Sequence, residues 1–600
     1  MCGISAIISK NHENIMPILF ESIKQLQNRG YDSIGFSYRD VIGDVFIHKK
    51  AMTENENCND FLNSHNNKIS SMAMAHTRWA THGSVTDSNS HPHISFDNRV
   101  SIVHNGIIEN YKDLKDMLVN KRNIKFNTET DSEIIANVIA YRLSIDNDET
   151  KAIENAIELL QGTYGLCIMF NGTDNIYAVK NGSPLLIGET DNKIIISSET
   201  SGFCKEVNNY ISLEPKNVIC ISYNGINNLN NNNVRTIENL DYDLTPLPYP
   251  HWTLKEINEQ DDSIKRAYNY GGRIRDNKVC LGGLRIIKNA PKKLILLGCG
   301  TSLHACQIAV YYFKKYKYFD SINCYDGAEF TSDDFIENSI IILVSQSGET
   351  KDLYNCLKEI KNKDCISIGI INCVDSYIAR EVDCGVYLNA MREVGVASTK
   401  SFTSSLVVLS LISIWFQQEN LCSKTYHTSC INDLNNLSSQ ISNTFKSINV
   451  IEGISDILIK CQSMFILGKG KMQYIATEAA LKFKEITYIH AEGYSGSSLK
   501  HGPFALLTVE TPVIFLIDVD NYDKMMNSYE EVKSRNAPCI IISNINNNNN
   551  IPNYIHVETN KNYQEIIFIL VLQLLSYCTS IRKGINPDKP RNLAKVVTVD

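Results

Sequence analysis

Several features are missing from this 600-residue sequence, and each absence narrows what the chain can be. No run of about 18 apolar residues occurs, so no membrane-spanning helix is expected. The formal charge is −8, with no excess of Lys and Arg, so nothing electrostatic points to nucleic acid. None of the 18 cysteines forms a Cys-x-x-Cys pair. No secretion signal is visible, because Ile4 to Ile8 is a short apolar run that reads as a strand. The cysteines therefore read as reduced core residues, and a cytoplasmic setting is expected. With 43% hydrophobic and 21% charged residues, the chain has the material for several well-buried domains. The asparagine tracts 230–233 and 546–550 read as solvated loop tips.

The N-terminus is Met1-Cys2-Gly3. Removal of Met1 would place a thiol and a free α-amine on one residue. That amine ordinarily titrates near ~7.7–8.0 and can take the thiol proton, leaving a thiolate nucleophile. Gly3 to Ser9 reads as a strand, and Met16 to Asn28 has helical spacing ending at Arg29-Gly30. The octet His76-Thr77-Arg78-Trp79-Ala80-Thr81-His82-Gly83 supplies a cation, an indole and small donors able to clamp an amino-acid carboxylate. With His91-Pro92-His93 it also suggests a metal, but the spacing fits no standard zinc pattern and no metal is expected. A short strand at Ser101 to Val103 runs into His104-Asn105-Gly106, which reads either as an oxyanion hole or as an Asn-Gly turn. Thr128 to Glu133 opens a helix whose carboxylates could cap it, or Asp131 could bind an ammonium group.

These segments, in this order and together with Arg29-Gly30-Tyr31-Asp32-Ser33 and Ile107-Ile108-Glu109-Asn110, resemble the glutaminase domain of the N-terminal-nucleophile amidotransferases. The resemblance implies a four-layer αββα sandwich in which Cys2 attacks a glutamine amide. By the same resemblance Arg78 holds the α-carboxylate and Asp131 the α-amine. Thr81, His82 and Gly106 line the pocket, Asn105 with Gly106 forms the oxyanion hole, and Trp79 gates the exit of ammonia.

Thr245-Pro246-Leu247-Pro248-Tyr249-Pro250 favours an extended linker, which places a boundary near Tyr242. Beyond it, Leu294 to Leu297 is a buried-strand pattern leading into Gly298-Cys299-Gly300-Thr301-Ser302 and a helix. A strand, a Gly-rich turn and a helix N-terminus form an anion cradle of backbone N–H groups. It is not the dinucleotide fingerprint, because Leu303 stands at the third glycine. A second strand, Ile340 to Val344, ends in Ser345-Gln346-Ser347-Gly348-Glu349-Thr350, hydroxyl-rich enough to hold a phosphate. The pattern repeats 170 residues on, at Met464 to Gly470. At that displacement the hydroxyl-rich turn falls in the apolar run Val513 to Ile517, so only the first copy is expected to bind phosphate. The second helix carries Glu478, Lys482 and Glu485 at one-turn spacing, a catalytic row or a solvated charged face.

The second half resembles the sugar-isomerase lobes of the glutamine–fructose-6-phosphate aminotransferase family, most specifically in Ser345–Thr350, Glu393–Lys400, Leu499–Pro503 and Pro590–Lys595. The expected fold is α/β and α+β, an N-terminal glutaminase sandwich followed by two doubly wound lobes. The expected domains are 2–241 for the glutaminase, 242–283 for the linker, 284–430 and 431–586 for the lobes, and 587–600 for the tail.

The resemblance implies that Thr301, Ser302, Ser345, Gln346, Ser347 and Thr350 bind the sugar phosphate while Val396 and Ser398 line the sugar. Lys595, with Ala594 beside it, would form a Schiff base at C2. Glu485 would move the proton between C1 and C2, with Lys482 and Glu478 close by. His501 would help open the ring from the neighbouring subunit of a homodimer. The implied substrates are L-glutamine and D-fructose 6-phosphate, with no metal or organic cofactor and no nucleic acid or membrane partner. The apolar flanks Leu593-Ala594 and Val596-Val597 imply a tail that docks and does not fray.

Two departures stand out: Ser498 replaces a Glu usual in the family, and residues 208–239 are too short for the long insertion of eukaryotic members. Feedback inhibition by a nucleotide sugar is therefore not assumed. A phosphoribosyl amidotransferase would leave the paired lobes unexplained. A non-catalytic sugar-phosphate sensor would have no need of Cys2, Glu485 and Lys595. A plain sugar isomerase would leave the pocket of Arg78 and Asp131 unexplained.

Overall fold

A computed structural model describes residues 2–596 apart from 41, 54–55, 81–82, 230–233, 238–242, 375, 419–423 and 548–549; within helices, the side chains of 121 and 424–427 are also outside the description. The chain forms two compact units, residues 1–244 with 594–599 and residues 245–593 with 600.

The first unit stacks two antiparallel sheets between helices. At the centre of an eight-stranded sheet lies β1 (Gly3–Ser9), between β2 (Met72–Arg78) and the strand Lys193–Ser197. The six-stranded second sheet contains β3 (Val100–Ile108). β1 is buried on both faces, and its alternation shows why. Ile4, Ala6 and Ile8 meet Val103, Cys167 and Met169 of the second sheet, while Ile7 faces Leu19 and Ile23 of the helix Met16–Gln25. The outer helical layer, led by α1 (Asp131–Asp146), packs Ile134, Ile135, Val138 and Ile139 on Val100 and Ile102. This is the αββα sandwich.

Asn105 and Gly106 do not form a turn. They lie inside β3, paired with Gly165 and Tyr164. Gly106 has φ +133°, and a Cβ there would fall 2.1 Å from the Thr163 carbonyl oxygen. Glycine is thus the residue this strand can accommodate at that point.

The second unit holds two five-stranded parallel sheets, each with chain-order arrangement 2-1-3-4-5. In the first, β4 (Lys293–Gly298) leads into α2 (Thr301–Tyr316) and pairs with β5 (Ser339–Ser345). After that sheet comes α3 (Lys400–Gln418). The second lobe opens with β6 (Ser463–Gly468) and α4 (Lys471–Thr487), and closes with α5 (Gln564–Arg582). The 170-residue displacement holds at β4 and β6 to the residue. The turn glycines share a pose, Gly300 at φ 53°, ψ −125° and Gly470 at φ 62°, ψ −131°.

Among the described residues, two helices are long and apolar enough to cross a membrane by composition, α3 and α5. In each, 94% of the apolar window is buried inside the unit, so they serve as the shared core of the two lobes. Residues 252–284 also contribute to that core through Ile257, Ile264, Val279 and Leu284.

The turn after β5 depends on Gly348, at φ +65° with a would-be Cβ 1.9 Å from Ser376 Oγ. Gly300 has positive φ but open space around it. Gly348→Ala is therefore expected to lower the urea midpoint of the second unit by more than Gly300→Ala, which pays only the backbone cost of about 1–3 kcal/mol. Equal midpoints for the two variants would contradict the packed geometry of this turn.

Candidate active sites

In the first unit, Cys2 sits at the head of β1, beside the end of β2. Its Sγ accepts the Trp79 N–H at 3.4 Å. Its carbonyl oxygen accepts from Asn105 Nδ2 at 2.8 Å and from Arg29 Nε at 3.1 Å. Arg29 is paired in turn with Glu199 at 3.2 Å. Burial pushes the Cys2 thiol up, while the terminal ammonium, the Trp79 N–H, Arg78 and Arg29 pull it down without cancelling the rise. Among the described residues, no histidine hydrogen-bonds to this sulfur.

Asn105 is held from behind. His76 Nε2 lies 3.1 Å from Asn105 Oδ1 and 3.0 Å from the His104 carbonyl oxygen. Both are acceptors, so His76 carries its proton on Nε2. Its ring stacks on His91 with centroids 4.0 Å apart, and His91 meets His93 edge-on at 4.5 Å. Burial is the first cause that keeps all four of His76, His91, His93 and His104 below the ordinary histidine range, His76 at about 3. They form a neutral packing and hydrogen-bonding cluster. No group of metal-ligating side chains occurs among the described residues.

Arg78 is 4% exposed and donates to the Gly83 carbonyl oxygen at 3.2 Å and the Ser84 carbonyl oxygen at 3.4 Å. Burial lowers its pKa, against the opposing pull of Cys2, Asp32 and Asp131. Asp131 begins α1 behind the N-cap Thr130 and accepts the Ile108 N–H at 2.9 Å. Thr130 caps the helix, its hydroxyl accepting the Glu133 N–H at 3.4 Å, while the Glu133 carboxylate accepts the N–H groups of Asn127 at 2.8 Å and Thr128 at 2.7 Å from the preceding loop. Asp32 accepts the Ala80 N–H at 2.8 Å and fixes the chain after Trp79. Thr81 and His82 lie outside the described residues.

In the second unit, β4 and β5 are parallel neighbours, and their C-terminal turns open on one crevice at the point where strand order reverses. Ser345 Oγ accepts the Gly348 N–H at 2.9 Å and lies 3.0 Å from Thr350 Oγ1. Ser347 Oγ accepts the Glu349 N–H at 3.1 Å, and the Gln346 carbonyl oxygen takes the N–H groups of Asn372 and Cys373. Ser302 follows Thr301 in the first turn of α2.

The charged row of α4 is not a solvated face. Glu478 is 0% and Lys482 1% exposed. Lys482 Nζ lies 2.6 Å from Glu485, 3.4 Å from Glu478 and 3.2 Å from Thr301 Oγ1. Glu478 also accepts from Thr301 Oγ1 at 3.1 Å and meets His304 Nδ1 at 2.7 Å. Burial works against the Lys482 ammonium, but Glu485 and Glu478 outweigh it and its pKa is raised. Lys482 thus stays charged, the reverse of what an imine-forming amine needs.

Val396 is buried and Ser398 half-buried in the loop before α3. His501 is exposed, at the end of the short turn Leu499–His501. Ala594 and Lys595 belong to the first unit, where the Lys595 N–H donates to the Asn28 carbonyl oxygen at 3.3 Å. Three residues in these sites carry no role in the sequence reading: Asp32, His76 and His304. Asp32 and His76 stand inside recognised motifs. His304 follows Thr301 by one helical turn, a spacing that signals a shared face.

The corresponding turn of the second lobe carries different side chains. Lys471, in the place of Thr301, pairs with buried Glu565 at 2.5 Å, and Tyr312 of α2 donates to the same carboxylate. Asp518, just beyond the strand Val513–Ile517, accepts from Gln564 Nε2 at 3.1 Å.

A glutamine amidotransferase domain model matches residues 76–205, and a SIS domain model matches residues 286–414 and 457–581. The chain is 39% identical, over the full length of both, to a probable glutamine–fructose-6-phosphate aminotransferase [isomerizing] of Acanthamoeba polyphaga mimivirus. It is 35% identical, again over both full lengths, to the glutamine–fructose-6-phosphate aminotransferase [isomerizing] of Buchnera aphidicola. Among solved structures, 57% of this chain matches all of the C-terminal domain of the Francisella tularensis glucosamine-fructose-6-phosphate aminotransferase, with 28% identity and a TM-score of 0.54. With one lobe's hydroxyl-rich turn and buried lysine–glutamate row, a glutaminase-type cysteine, and full-length agreement at this identity, the chain belongs to the isomerizing glutamine–fructose-6-phosphate aminotransferase family.

Proposed function

We propose that this chain makes glucosamine 6-phosphate from fructose 6-phosphate with nitrogen from glutamine, the entry step of amino-sugar synthesis, and that the two units divide the work. In the first, Cys2 attacks the glutamine amide carbon after removal of Met1, with its own α-amine as the base. The absence of any histidine bonded to the sulfur among the described residues supports that choice of base. The oxyanion is met by Asn105 Nδ2, which has a second hydrogen beyond the one it gives the Cys2 carbonyl, and by the Gly106 N–H. Ammonia leaves, and water hydrolyses the thioester to glutamate. Arg78 and Asp131 hold the α-carboxylate and α-amine, and Thr81 and His82 complete the pocket. Trp79, whose N–H bonds Cys2, gates the path of ammonia.

In the second unit, Ser345, Gln346, Ser347, Thr350, Thr301 and Ser302 hold the phosphate, with Val396 and Ser398 beside the sugar. Lys595, of the tail, forms an imine at C2 with loss of water, ammonia then displaces the lysine amine to leave the sugar's own C2 imine, and Glu485 carries the proton from C1 to C2. The observation that carries this reading is the buried row Glu478–Lys482–Glu485 bonded to Thr301 across the two lobes. It fixes one carboxylate beside a permanent cation at the mouth of the phosphate crevice, which suits a proton shuttle. Glutaminase residues 2–241, lobes 284–430 and 431–586, and a tail from 587 remain the proposed domains, with 242–283 connecting them. We place the enzyme in the cytoplasm as a homodimer, with exposed His501 supplied to the partner's sugar site.

Intact mass and product analysis on one preparation test the reading, with loss of Met1 and equal amounts of glutamate and glucosamine 6-phosphate expected. Cys2→Ala is expected to abolish glutamine-dependent synthesis while sugar-phosphate isomerisation stays measurable. Loss of both activities in a folded variant would sink the two-site division. Lys595→Ala is expected to remove amino-sugar formation and spare glutaminase activity, and normal product from it would exclude the imine.

A further inference from the structure

The short helix Trp252–Asn258 is bonded to two segments far from it in sequence. At its start, the Asp588 carboxylate accepts the Trp252 N–H at 2.8 Å, the Thr253 N–H at 2.7 Å and the Thr253 hydroxyl at 2.7 Å. One turn on, Glu256 Oε1 accepts the N–H groups of Val394 at 2.5 Å and Gly395 at 3.1 Å. Glu256 is 1% exposed. The contact is tight: a Cβ on Gly395 would lie 2.9 Å from Glu256 Oε2 and 3.2 Å from Thr253 Oγ1. A third carboxylate closes the loop that follows. Glu393 accepts the Thr399 N–H at 2.9 Å, the Ser401 N–H at 3.1 Å and the Ser401 hydroxyl at 2.7 Å. Lys400 is tied to Glu259 of the next turn at 2.6 Å.

The loop 393–399 is therefore shaped by carboxylates bonded to backbone N–H groups, bonds stronger than those between neutral groups. Two N–H groups, that of half-buried Val394 and that of buried Gly395, would lose their acceptor with Glu256, and the loop would have to move to find water. We propose that Glu256 and Asp588 are positioning residues for the sugar crevice: Asp588 sets the helix, and the helix sets the loop that carries Val396 and Ser398. Asp588 stands seven residues ahead of Lys595, so one helix fixes both the sugar lining and the root of the lysine-bearing tail. This rests on the role proposed above for Val396 and Ser398.

Steady-state kinetics on the full chain test it. Glu256→Ala and Asp588→Ala are each expected to raise KM for fructose 6-phosphate about tenfold, with kcat within about threefold. Glutaminase activity without sugar and KM for glutamine should match wild type. The isosteric Glu256→Gln keeps an acceptor for both N–H groups and should return KM to near the wild-type value. The double alanine variant should be no worse than the poorer single one, because both changes release one loop. Unchanged KM in folded single variants, or effects that simply add, would overturn the relay. If either alanine variant fails to fold, Asp588→Asn is read instead: a KM about threefold higher supports the relay, and an unchanged KM overturns it. A wild-type chain that forms no glucosamine 6-phosphate would instead sink the proposed reaction. Calorimetric affinity for fructose 6-phosphate would then replace KM in the same comparison.

Discussion

The buried ion row on one helix is the constraint on which the second unit depends. Lys482 is surrounded by protein, and its charge survives because Glu485 and Glu478 stand within 3.4 Å of it. A buried pair of this kind adds little net stability, but removing one member leaves a naked charge, at a cost of roughly 3–5 kcal/mol. The row thus ties the lobes to one arrangement. Thr301 and His304 come from the first lobe, the carboxylates and the ammonium from the second, and the two sets are bonded to each other.

The first unit rests on a different economy. Its reactive sulfur gains one backbone N–H and has no histidine bonded to it among the described residues, while four histidines nearby stay neutral and hold strands and loops. Burial alone makes the thiol a poor acid. The cluster gives shape, through His76 on Asn105 and His91 on the His104 N–H.

Much of this was legible in the sequence where local patterns are strong. β1 follows the run Gly3 to Ser9 to the residue, and the displaced repeat predicts both β4 and β6. Local patterns misled where a long-range partner decides. Asn105-Gly106 has turn chemistry, but the neighbouring strand Gly162–Phe170 carries β3 straight through it, and Gly106 survives because no side chain fits. The spacing of Glu478, Lys482 and Glu485 suits a solvated face equally well, and only tertiary burial separates the readings. The alternate prolines of Thr245–Pro250 give 242–283 the look of a connector, yet Ile257 and Ile264 sit in the central core. Role assignments such as His304 need the partner helix to be seen.

The paired cradles of the second unit have a consequence of another kind. Two turns with the same backbone pose have diverged in what fills them. One copy starts its helix with Thr301, whose hydroxyl bonds Glu478 of the other lobe, and the other starts with Lys471, paired with Glu565. Duplication usually doubles capacity. Here one backbone pose serves two ends, a hydroxyl start bonded across the lobes in one copy and a lysine start paired within its own lobe in the other.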